Sequence, residues 1–228
     1  MTTPKPFTRR DLGRIFLAGA GSVLGAPLLA QAQQRVAPGP GGAPGGTGAA
    51  LHYPFPATVA DAGIRLAPTP ACDDHDTEAQ TEGPYYSPET PLRSVLTEAG
   101  TKGRKLIVQG VVLSPTCRPV AGAVLDFWHA DEDGAYDNRG MRYRGHQFTD
   151  ANGIYRLETI RPALYPGRTV HMHVKVQGKT TPLLTTQVYF PDQAVDNARD
   201  GIFSPKLLVA LKNLSDGSQE ARFDFVIG

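Results

Sequence analysis

Sulfur is scarce in this chain, and neither sign of charge is in excess. Two cysteines in 228 residues cannot build an iron–sulfur cluster or a cysteine-rich structural zinc site, and they make a copper(I) site a poor fit. A formal net charge of +1 with no basic block argues against nucleic acid as a partner. No long apolar span gives the mature protein a membrane function. A phosphate-cradling glycine loop ahead of a helix, a serine nucleophile elbow and any long amphipathic helical pattern are all missing, which removes the common nucleotide-binding and serine-hydrolase signatures.

What the chain does have is 25 glycines, 20 prolines and 40% hydrophobic residues, a composition that suits one loop-rich β domain with extra segments. The N-terminus reads as a twin-arginine export signal over residues 1–32. Thr8-Arg9-Arg10-Asp11-Leu12 precedes a Gly/Ala-rich apolar run from Ile15 to Leu29, and Ala30-Gln31-Ala32 offers a small-x-small cleavage site. Export by this route carries folded proteins, often with a cofactor already in place, to the periplasm or beyond. Residues 33–70 read as a Gly/Pro-rich linker or disordered segment; from His52 onward it has a few apolar residues and either drapes over the domain or stays loose. Residues 71–228 are the expected catalytic domain. Cys72 and Cys117, an even pair in an oxidising compartment, favour a disulfide over two buried thiols.

Short runs rich in β-branched residues mark the strands. They fall at residues 105–113, 120–129, 154–159, 168–176, 183–190, 205–211 and 221–227, with turn residues between them. Many short strands with turn chemistry between them predict an all-β sandwich. Asp73-Asp74-His75-Asp76 reads as a solvated acidic loop rather than a metal cluster.

One strand, Arg168-Thr169-Val170-His171-Met172-His173-Val174, carries the chemistry. Residues two apart on a strand share a face, so His171 and His173 project together and Met172 and Val174 face the other way. Two imidazoles on a rigid strand are half of a metal site, or simply an exposed histidine pair. Tyr136 and Tyr165 sit in Gly- or Pro-flanked loops that can fix their direction. A free phenol ionises only near pH ~10, and a trivalent cation lowers that strongly. Two phenolates with two imidazoles suit iron(III), Fe(3+), better than zinc, calcium or magnesium. Arg168, just ahead, is a fixed cation suited to an anionic substrate. Tyr85 and Tyr86 follow the Gly83-Pro84 turn, placed either to wall a pocket or to plug the core edge.

The motifs TEGPYY (81–86), RPVAGA (118–123), DFWHA (126–130), DGAY (133–136), TDANGIY (149–155), YPGRTVHMHV (165–174) and LTTQVYF (184–190) together resemble the intradiol ring-cleavage dioxygenases. The resemblance covers about residues 72–226, in family order, and is nearest the exported single-domain branch. It implies a prealbumin-like sandwich of two mostly antiparallel sheets with long loops forming the metal site. It implies a non-haem ferric centre held by Tyr136, Tyr165, His171 and His173. The implied reaction cleaves a catechol-type diol between its two hydroxyl-bearing carbons with O2, giving cis,cis-muconate-type products. Tyr136 then resembles the tyrosinate that stays bound, Tyr165 the one the substrate displaces, Arg168 the arginine that stabilises developing negative charge, and Gln187 the glutamine beside the site. Tyr85 or Tyr86 would wall the pocket near the ring substituent. Asp137 and Leu164 depart from the family's usual serine and tryptophan, at positions that bear on substrate preference.

Two other readings compete. Part of the same pattern occurs in β-sandwich modules that bind carbohydrate or space domains, but these lack the paired tyrosines and the Arg-x-x-His-x-His run. A zinc hydrolase would need a third ligand, for which only His129 and His146 offer. The preferred catechol, and whether the chain forms a homo-oligomer, stay open at this level.

Overall fold

The computed structural model of the protein describes residues 50–67, 72 and 75–228. The twin-arginine stretch, most of the glycine-rich linker and the Asp73-Asp74 pair lie outside the described residues.

Nine strands form two sheets. β1 (Lys105–Leu113), β4 (Ile154–Ile160), β7 (Ala210–Asn213) and β8 (Gln219–Arg222) make one, in the order β4-β1-β8-β7, with β9 (Phe225–Val226) pairing the far end of β1. β2 (Val124–Trp128), β3 (Arg144–Phe148), β5 (His171–Gln177) and β6 (Leu184–Tyr189) make the other, in the order β3-β2-β5-β6. Pairing is antiparallel except where β8 and β9 run parallel to β1. The fold is therefore the expected sandwich. Its core lies between the sheets, where Val108, Leu125, Phe127, Leu157, Met172 and Val174 are almost wholly buried. The only α-helix among the described residues is the single turn α1 (Ala194–Asn197), and none of them forms a helix long and apolar enough to cross a membrane.

Three strand expectations need correction. Residues 205–211 are not one strand: Pro205, which has no N–H to give a ladder, opens a 3-10 turn (Pro205–Leu207), and pairing starts only at Ala210. Residues 221–227 are two short strands broken at Phe223-Asp224, where the Asp224 carboxylate accepts the Val111 N–H at 2.8 Å. β3 was not anticipated at all. Its residues Arg144, Gly145, His146 and Gln147 look like a solvent-facing loop, yet all four are buried.

Residues 50–67 drape across the sandwich. The Tyr53 ring stacks on His146 at 3.7 Å between centroids and its hydroxyl donates to Asp126 at 3.0 Å. Cys72 and Cys117 are joined as a disulfide with their Cα atoms 5.5 Å apart. The bridge ties the approach to the domain onto the turn that follows β1. From there residues 77–86 run beside β6, held by Gln80 N–H to Thr185 O at 2.8 Å and by Thr186 Oγ1 to Glu78 O at 2.6 Å.

Candidate active site

β5 is buried on both faces, and that burial makes the site. Met172, Val174 and Val176 enter the core, while His171, His173 and Lys175 point the other way and are still no more than 5% exposed. The residue 81–86 segment covers them. Glu82 pairs with Lys175 at 2.6 Å, Gly83 lies against the His173 ring, and Tyr86 sits under the Lys175 ammonium. On its other side His173 stacks on Trp128, its partner across the ladder, with rings 4.8 Å apart and 7° from parallel.

The two imidazoles converge as the alternation requires: their Nε2 atoms are 3.1 Å apart. His171 Nδ1 lies 2.6 Å from Thr169 O. A carbonyl can only accept, so Nδ1 carries the proton and Nε2 presents a lone pair. The Tyr136 hydroxyl lies 3.2 Å from that Nε2. Burial, reinforced by Arg168, pushes His171 down to about 4. Burial, with His171 next, pushes His173 well below its ordinary value. Both rings are thus neutral ligand-type imidazoles near neutral pH. Burial raises the Tyr136 phenol, partly offset by the Arg168 and Arg144 charges.

The loop carrying Tyr136 closes on itself, with the Asp131 carboxylate accepting the N–H groups of Asp133 and Ala135 at 3.0 and 2.9 Å. It meets the Tyr165 loop through Ala163 N–H to Asp131 O at 2.9 Å. Tyr165 then stands edge-on to Tyr136, centroids 5.7 Å apart. Its hydroxyl is not on the imidazoles: it is 2.5 Å from the hydroxyl of Tyr85, whose phenol that bond, followed by burial, pushes up to about 12. Tyr85 also stacks on Tyr136 at 4.6 Å.

The expectation for Tyr86 needs correction. Only one of the two tyrosines lines the site. Tyr86 packs on Trp128 and gives its hydroxyl to Asp126 at 3.0 Å, the Pro84-Tyr85 turn sending the two rings to different neighbours.

Arg168 is held as a fork. Its Nε donates to Asp200 at 2.8 Å and its Nη2 to Gln187 Oε1 at 2.8 Å. Gln187 is oriented in turn by Nε2 to Thr81 O at 2.9 Å. Burial alone would raise the Asp200 carboxyl, but the N–H groups of Ile202 and Thr169 and the Arg168 guanidinium outweigh it and hold it low. Nothing in the linear pattern marks Asp200, 32 residues from Arg168. Nor does it mark Gly83, Thr81 or Trp128 as supports of the site.

The donor set fits a ferric ion. The His173 Nε2 and the Tyr136 hydroxyl oxygen, 3.1 and 3.2 Å from His171 Nε2, with a second phenol beside them, are a hard, nitrogen-and-oxygen cradle in which a cation relieves the opposition of lone pairs. The zinc-hydrolase reading finds no third ligand. Among the described residues no group of three His, Cys, Asp or Glu side chains stands together. His129 spends Nδ1 on Ala130 O and Nε2 on Thr159, both at 2.7 Å, and His146 spends Nδ1 on Thr90 O at 2.8 Å.

Comparison with known proteins agrees with this geometry. The family model Dioxygenase_C, described as "Dioxygenase", matches residues 81–228. A chlorocatechol 1,2-dioxygenase of Pseudomonas putida is 34% identical over 173 residues, covering 64% of this chain and 66% of that protein. The dioxygenase domain of a dioxygenase carbohydrate-binding protein fusion from Streptomyces sp. SirexAA-E has a similar structure, with a TM-score of 0.64 and 47% identity over 67% of this chain and 97% of that one. The 3-chlorocatechol 1,2-dioxygenase of Rhodococcus opacus 1CP gives a TM-score of 0.63 at 27% identity, over 68% of this chain and 74% of that one. With its sandwich, its paired histidines and the tyrosines gathered beside them, the chain belongs to the intradiol ring-cleavage dioxygenase family.

Proposed function

We propose that this chain is an exported non-haem iron(III) dioxygenase that opens catechol-type aromatic diols between the two hydroxyl-bearing carbons with O2, yielding cis,cis-muconate-type products. One observation carries the reading: the Tyr136 hydroxyl and the His173 Nε2 both lie within 3.2 Å of the His171 Nε2, with Tyr165 alongside. A catechol type of substrate is supported by relatives named for chlorocatechol and hydroxyquinol. Export rests on the twin-arginine stretch at residues 1–32, and the disulfide is consistent with an oxidising destination.

Tyr136, Tyr165, His171 and His173 would hold the iron. When bound, ferric iron would draw electron density from a chelated diol and make its ring carbon reactive toward O2. The protein's own groups do the rest. Tyr165 would be the phenol free to turn away, because Tyr85 lies 2.5 Å off and would hold its hydroxyl once it took a proton from the substrate. Tyr136 has no such second hydroxyl partner among the described residues and would stay. Arg168 has Nε and Nη2 committed to Asp200 and Gln187. Nη1 has no protein partner among the described residues, and it is the donor left for a ring oxygen that gains negative charge. That preorganised cation stabilises the charge without moving, a role that typically supplies several kcal/mol.

Oxygen uptake against a panel of ring-substituted catechols, with product ultraviolet spectra, tests the proposal. A muconate-type product with stoichiometric O2 use is expected. A ring-opened semialdehyde, or no uptake by iron-loaded protein on any diol, would refute it.

A further inference from the structure

Arg144 on β3 is 1% exposed, and its burial is not compensated in the usual way. Nε and Nη2 both donate to one backbone carbonyl, Asp137 O, at 3.2 and 2.9 Å. Nη1 is buried with no hydrogen-bond partner. Among the described residues no carboxylate pairs with it. The two nearby acids are committed elsewhere. Asp137 accepts the N–H groups of Arg139, Gly140 and Arg142 at 2.8 to 3.0 Å. Asp126 accepts the hydroxyls of Tyr53, Tyr86 and Thr90. A buried guanidinium with no ion-pair partner, on which the Asp137 and Asp126 carboxylates act only from a distance, is costly, and such a cost calls for an explanation.

The anion is not far to seek. The carbonyl that Arg144 grips belongs to the residue after Tyr136. Arg144 is also the ladder partner of Trp128, which in turn pairs with and stacks on His173, so Arg144 and His173 share one face of the sheet.

We propose that Arg144 is a second fixed cation of the metal site and a positioning residue for Tyr136, with the site's anionic oxygens supplying the countercharge that no ion-paired carboxylate provides. The proposal rests on the ferric reading of the site. Arg168 is partly open, its side chain 21% exposed, and placed for substrate; Arg144 is sealed in the fold and serves the resident ligand.

Two substitutions separate charge from anchoring. Arg144→Lys keeps a positive charge and one donor for Asp137 O; Arg144→Gln keeps a donor and loses the charge. The readouts are iron content, the ferric/ferrous midpoint potential of the loaded protein, and thermal unfolding of the metal-free protein. Reduction adds one negative charge to the site whatever its ligands, and a fixed cation nearby favours it. Arg144→Gln should therefore shift the potential downward and Arg144→Lys leave it near wild type. Without metal, Arg144→Gln should unfold no lower than wild type, since an uncompensated buried charge is gone. A potential that is the same in all three proteins, or that moves equally in both variants, overturns the proposal. So does a metal-free Arg144→Gln protein that unfolds far below wild type, which would make Arg144 a structural residue. Wild-type protein that takes up no ferric ion would refute the site itself, a failure distinct from the others.

Discussion

Gly83 is where a single added methyl tests the arrangement most directly. Its φ is +72°, and a Cβ there would lie 3.3 Å from His173 Cε1. Gly83→Ala therefore has two costs. Left-handed backbone costs a non-glycine residue roughly 1–2 kcal/mol. The contact is tight rather than prohibitive, so something must give by a few tenths of an ångström, and Trp128 stacked on the ring limits how far the imidazole can shift. The combined loss is about 1–3 kcal/mol. For a domain of this size that lowers Tm by roughly 2–10 °C. If about 1.4 kcal/mol of it falls on the imidazole, iron binding weakens about tenfold. Gly63 supplies the control. Its φ is +73° with nothing within 4 Å of a built Cβ, so Gly63→Ala carries the backbone cost alone. Calorimetry and competitive iron titration on both variants should show a similar loss of stability and a loss of iron affinity only at Gly83. Equal iron affinity in the two would mean that Gly83 does not set the place of His173.

Replacing Tyr136 by Phe should bleach or strongly shift the visible phenolate-to-iron absorption of the loaded protein; an unaltered spectrum would remove Tyr136 from the ligand set. Asp200→Asn should lower kcat/KM by tenfold or more, about 1.5–3 kcal/mol for a charge-assisted bond, while iron content holds, since Asp200 aims Arg168 rather than binding metal; parallel loss of iron would contradict that division. His129 predicts a pH effect. Burial depresses it from 6.5 to about 4, so the unfolded chain binds its proton first. Its contribution is complete above pH about 6.5 and is lost as pH falls toward 4, up to about 3 kcal/mol. His129→Gln should flatten the acid limb of a stability–pH curve measured by denaturant unfolding, and an unchanged limb would refute the assignment.

The alternation of residues 168–176 was enough to place His171 and His173 on one face, because strand geometry leaves no choice once the strand exists. The short β-branched runs were enough to indicate a sandwich. By contrast β3 escaped notice because its side chains are polar, and only the finished fold supplies them with partners: Thr90 for His146, Asp137 O for Arg144. Tyr85 and Tyr86 could not be told apart either, since which of two adjacent side chains meets the site depends on how the segment lies on β5.

The sequence by itself determined the periodicity, the supply of nitrogen and phenol donors, and a family pattern distributed over some 150 residues. Those are local or linear properties. The tertiary structure alone decided which groups share a charge. Asp200 reaches Arg168 across 32 positions, Tyr85 reaches Tyr165 across 80, and Arg144 makes no ion pair with a carboxylate among the described residues. Electrostatic interaction depends on distance and burial, and neither is written along the chain.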